Sequence, residues 1–277
     1  MFTEVEVVAP EGVRLALRDY GGPAKARGIV LVHGLASNVH IWDLVGPPLA
    51  GTFRVVAYDQ RGHGRSSDAA DYSFDALAAD CAAVAERLDR PVAVGHSWGA
   101  SVVLHYAARY DCPGVVCVDG GVVDWQRMGR GWDETERLLT PPHLEGPPDE
   151  LLRRLREHSS LPWDAAEPVV TRSFVVDGDG VMRRRTPIPE HMKIVRRMWE
   201  DRITDLYASI GCPILLVLAR GSASDPRFVA AKEAAAADVV RVNPRVRVEW
   251  VDSVHDVPLA APDELAGLIR DFAEALV

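Results

Sequence analysis

Two hydrophobic rhythms take turns along this chain. Residues 3–8 and 13–20 alternate polar and apolar side chains on either side of Pro10-Glu11-Gly12, the pattern of a hairpin with one wet face. The runs at 28–32, 53–58, 91–94, 115–118, 213–218 and 246–251 are short and mostly apolar. Strands covered on both faces of a parallel sheet read this way. Between them a helical period takes over. Ser73 stands at an N-cap position, and Leu77, Cys81, Val84 and Leu88 follow on one face. Residues 98–110 are small and apolar, and 226–238 are Ala-rich. Pro262 opens a last helix with Leu265, Leu268, Ile269, Phe272 and Leu276 along one side. Strand alternating with helix predicts an α/β fold, a mostly parallel sheet with helices on both faces.

One stretch breaks the rhythm. Residues 121–205 hold no convincing buried strand but carry Pro141-Pro142, Pro147-Pro148 and four tryptophans, Trp125, Trp132, Trp163 and Trp199. Disordered linkers are poor in aromatics, so the stretch is expected to be a folded lid. The division predicted is a core of residues 1–120 and 206–277 with a cap at 121–205. Within the cap, Asp177-Gly178-Asp179-Gly180 lacks the ligand pattern of a calcium loop and reads as a hairpin or turn. Arg183, Arg184 and Arg185 read as a solvated face.

Composition narrows the partners. The chain has 277 residues and a net charge of −9, which argues against a general nucleic-acid binder. No apolar run reaches the length of a membrane span. The first residues have neither a basic nor an apolar leader segment, so the expected location is the cytoplasm. Cys81, Cys112, Cys117 and Cys212 form no CxxC pair and have no clustered histidines, which argues against a structural metal and a disulfide framework. A small-molecule substrate is the expected partner, and self-association stays open.

The strongest chemical signal is Gly95-His96-Ser97-Trp98-Gly99. It matches G-x-S-x-G between a strand and a helix, the context of a nucleophile elbow. Glycines flank a turn too sharp for side chains, and the helix N-terminus behind Ser97 favours developing negative charge. A serine hydroxyl needs a general base. His255 follows the last strand by a short loop and so lies at the carboxyl edge of the sheet, where chemistry collects in open parallel sheets. The imidazole needs a carboxylate, which in the order Ser, acid, His must lie between Ser97 and His255. Asp225, one helix and one strand before His255, is the favoured acid; Asp119, ending the strand 115–118, is the alternative. The competing structural role for Asp225 is an N-cap before Pro226. The expected oxyanion donors are the backbone N–H groups of Leu35 and Trp98, with Leu35, Trp98 and Trp125 against substrate. The turn Asp59–Ser66 lacks the pattern of a phosphate loop and reads as structural.

Together His33-Gly34, the turn at 59–66, the elbow, Asp225 and His255, in this order, resemble the α/β-hydrolase superfamily over nearly the whole chain. The resemblance implies an eight-stranded sheet, a helical lid inserted after the sixth strand, and no cofactor. Ser97 at the elbow disfavours the relatives whose nucleophile is a carboxylate. It implies a serine hydrolase of an ester, thioester or lactone, acting through an acyl-enzyme. Carbon–carbon hydrolysis of a diketone and ligand sensing with little turnover are the alternatives.

Overall fold

The computed structural model describes residues 2–221 and 226–276. The predicted hairpin is present as β1 (Thr3–Val8) and β2 (Arg14–Gly21). The apolar runs become β3 (Gly28–Val32), β4 (Arg54–Tyr58), β5 (Val92–His96) and β6 (Val115–Val118). After the insertion come β10 (Ile214–Ala219) and β11 (Val246–Val251). They form one eight-stranded sheet in the order β1-β2-β4-β3-β5-β6-β10-β11. β1 and β2 pair antiparallel, as do β2 and β4; the other neighbours are parallel.

Burial follows the sequence rhythm. Every residue of β3, β5, β6 and β10 is buried, because helices cover both faces there. β1 is an edge and alternates between exposed and half-buried positions. Two apolar clusters lie on the two faces. One includes Val30, Val32, Leu216 and Leu218; the other includes Leu31, Val94, Leu215 and Val217. Each such side chain contributes about 1.5–3 kcal/mol of transfer free energy. The helix Phe74–Ala85 starts where Ser73 predicts, with Ser73 Oγ accepting from the Ala76 N–H at 3.3 Å.

Between β6 and β10 the chain leaves the sheet. It forms helices Trp132–Leu139, Pro148–Glu157, Trp163–Arg172 and Ile188–Glu200. It also forms a small antiparallel sheet of β7 (Glu145–Gly146), β8 (Phe174–Val176) and β9 (Met182–Arg184). The insertion is therefore not wholly helical. Asp177-Gly178-Asp179-Gly180 turns the chain between β8 and β9. Arg183 sits among Asp177, Asp179 and Glu145 on the surface. Arg185 departs from the expected solvated face: it donates to Gly64 O, Ser66 O and Asp68, tying the insertion to the turn at 59–66. That turn is structural, with Asp59 accepting from the Val39 and Arg65 N–H groups. Arg61 meets Asp80 in a buried two-pronged ion pair.

The elbow explains its own glycines. A Cβ on Gly99 would stand 2.4 Å from Val32 O and 2.6 Å from His33 O, backbone atoms at and just past the end of β3. Backbone cannot swing aside as a side chain can. Gly99→Ala is therefore expected to cost about 3 kcal/mol. Thermal unfolding followed by circular dichroism should show Tm lowered by roughly 6–12 °C. Among the described residues no helix is long and apolar enough to cross a membrane.

Candidate active site

Ser97 follows β5 and precedes the helix Trp98–Arg109, in a left-handed backbone conformation with φ 54°. That conformation is strained for a residue with a Cβ and is held by the close packing on both sides. It lifts the hydroxyl off the sheet. Ser97 Oγ–H donates to His255 Nε2 at 3.0 Å, and His255 Nδ1–H donates to Asp119 Oδ2 at 2.7 Å. The structure thus brings Ser97 and His255 together, and the carboxylate on the ring is Asp119. Asp225, the favoured acid of the sequence reading, lies outside the described residues.

The strand order lets the carboxylate come from β6. Ser97 follows β5, while His255 follows β11, with β6 and β10 between them. To reach Ser97, the imidazole must lean across β10, and its far nitrogen then stands over the end of β6. Asp119 is the residue there. Its backbone is itself left-handed, φ 43°, and its N–H donates to Val217 O of the neighbouring strand. Its Oδ1 accepts from the Ala219 N–H and from Lys232 Nζ, both at 2.9 Å. The His255 loop is fastened too. His96 Nε2–H donates to His255 O at 2.9 Å, and the Gly221 N–H donates to Ser253 O.

Electrostatics separates this histidine from its neighbours. Burial pushes His33 and His96 down to about 4 and His63 to about 3, so these rings stay neutral. Burial pulls His255 the same way, but the hydrogen bond and charge of Asp119, helped by Asp256, outweigh it and raise its pKa. For Asp119, burial would raise the carboxyl, yet His255 and Lys232 hold it below the usual carboxylate range. A base must be neutral to accept a proton, and a raised pKa keeps it charged to a higher pH. The expected kcat/KM therefore rises with pH along a limb centred above about 6.5. A limb centred below about 6 would assign the titration to another group.

Above Ser97 lies a cavity of 760 Å³. Leu35, Trp98 and Trp125 line it, as do Val122, Leu138 and Phe228. Gly34 packs against Ser97: a Cβ there would be 3.1 Å from Ser97 Cβ. Trp132 and Trp199 are not among the lining residues; they meet edge to face, with the Arg196 guanidinium over both rings. The sequence reading missed His191, Met198 and Lys232 in the cavity wall. Lys232 carried one signal, being one of three lysines in a chain otherwise supplied with arginine.

Comparison with known proteins bears on the family and the fold. A family model described as "Alpha/beta hydrolase family" matches residues 29–268. The chain is 26% identical to the magnesium-chelatase 30 kDa subunit of Rhodobacter capsulatus, over 91% of this chain and 89% of that one. It is 29% identical to the lipase LipV of Mycobacterium tuberculosis, over 93% and 97%. Several further relatives match over only 108 to 114 residues, less than half of their own length. Among solved structures, E-2-(acetamidomethylene)succinate hydrolase superposes with a TM-score of 0.84 at 21% identity, over 99% of this chain and 100% of that one.

Proposed function

Because the chain belongs to the α/β-hydrolase family, we propose that it is a serine hydrolase working through an acyl-enzyme. The observation that carries this is the run of hydrogen bonds from Ser97 through His255 to Asp119, opening into the cavity. Ser97 Oγ attacks the acyl carbon as His255 Nε2 takes its proton. The imidazolium formed is stabilised by Asp119, which also fixes the tautomer by accepting from Nδ1–H. The Leu35 and Trp98 N–H groups receive the oxyanion, each worth about 3 kcal/mol in the transition state. His255 then returns the proton to the leaving oxygen or sulfur. Water, deprotonated by the same nitrogen, releases the acid and restores Ser97.

The substrate proposed is an ester, thioester or lactone with an apolar or aromatic group. The cavity wall is mainly apolar, and its volume suits a small organic molecule rather than a polymer. Residues 121–205 act as its cap in this reading. A fluorophosphonate is expected to label Ser97, and p-nitrophenyl esters are expected to gain kcat/KM from acetate to longer acyl chains. Absence of both labelling and ester turnover would defeat the proposal.

A further inference from the structure

We propose that Lys232 is a positioning residue of this site: its ammonium grips one oxygen of Asp119 so that the other is presented to His255. The inference rests on the serine-hydrolase reading for its importance, but its geometry stands by itself. Lys232 comes from the helix Pro226–Val242, on no element that bears a triad residue. Its Nζ donates to Asp119 Oδ1 at 2.9 Å and to Ala219 O at 2.5 Å, and lies 5.6 Å from the centre of the Trp250 ring. The side chains of Lys232 and Asp119 are each only 3% exposed. Burying an ammonium is costly unless it is well partnered. A surface role would not require it, and Lys25 and Lys193 are indeed exposed.

The residue type fits the task. The chain has only three lysines among its 31 basic residues, and Lys232 is the buried one of the three. A guanidinium is a flat fork, whereas an ammonium is a compact point charge with three donors. The space between a carboxylate oxygen, a strand-end carbonyl and an indole face suits the second. With Oδ1 held by Lys232 and the Ala219 N–H, the carboxylate has one orientation, and Oδ2 faces the imidazole.

A second consequence is electrostatic. Among the described residues, the charged and titratable groups facing His255 are Asp119 from the end of β6, Lys232 from its helix, His96 from β5 and Asp256 from the same loop. Asp119 and Asp256 favour the imidazolium; Lys232 opposes it. Lys232 therefore moderates the basicity that Asp119 confers, keeping the base neutral to a lower pH.

Lys232→Met removes charge and donors; Lys232→Gln removes the charge but keeps a donor, and covers the case that the first does not fold. The imidazole of His255, followed by NMR through a pH titration, is expected to titrate about one unit higher in either variant. In the same variants kcat should fall roughly 10- to 100-fold from misalignment, with KM nearly unchanged. A His255 titration that does not move in a folded variant overturns the proposal. In the parent protein the Lys232 ammonium protons should exchange slowly with water; exchange as fast as at Lys25 and Lys193 overturns it as well. Neither NMR measurement needs turnover. Failure of fluorophosphonate to label Ser97 would thus count against the hydrolase reading and leave this result separate.

Discussion

Ser97→Ala is expected to remove p-nitrophenyl acetate turnover, with kcat down by about 10⁴- to 10⁶-fold. The change deletes one atom that forms the acyl bond, and nothing nearby can replace it. His255 Nε2 loses its proton donor, yet the ring stays fixed by Asp119 on the other side. The fold should be spared. Ser97 makes no side-chain cap bond to the helix it precedes, and alanine keeps the Cβ that Gly34 packs against. The expected result is an unchanged melting curve with no fluorophosphonate labelling. Persistent ester hydrolysis in the purified variant would assign the nucleophile elsewhere.

Asp119→Asn is expected to be the second severe change, with kcat lower by about 10⁴-fold. An amide presents an NH₂ group where a carboxylate only accepts. If that group faces His255 Nδ1, the ring proton moves to Nε2, and the base can no longer receive the Ser97 proton. This variant should also lose stability, unlike Ser97→Ala. It takes the carboxylate from the buried Lys232 ammonium, and breaking a buried pair costs about 3–5 kcal/mol. Asp225→Asn, assayed in parallel, is expected to keep most activity. The reverse ranking would return the acid to Asp225.

That comparison marks how far the residues alone carry the reading. Strands buried on both faces are mostly apolar, so β3, β5 and β10 announce themselves. The elbow does too, because Gly99 lies where backbone leaves no room for a side chain. The acid was not legible in the same way. Asp119 and Asp225 both follow strands and both precede His255, and chain order cannot say how far an imidazole leans across β10. The insertion was legible as a folded unit through its tryptophans, but β7, β8 and β9 span only two or three residues each, too few to display a period. Of its tryptophans, Trp125 lines the cavity, whereas Trp132 and Trp199 pack on each other. Aromatic content does not distinguish a wall from a brace.

The pairing of β6 with β10 has a kinetic consequence. Val115 lies beside Ile214, so these neighbours can zip only after a loop of roughly a hundred residues has closed, at an entropy cost that grows with the logarithm of its length. Such long-range pairings form late in folding. The Ala219 N–H and Lys232 reach Asp119 only once β10 has docked. Ser97 and its elbow, built from strand and helix adjacent in the chain, can form earlier. On the proposed reading, Ser97 is expected to be in place before Asp119 is aligned on His255, so the site would be completed late in folding.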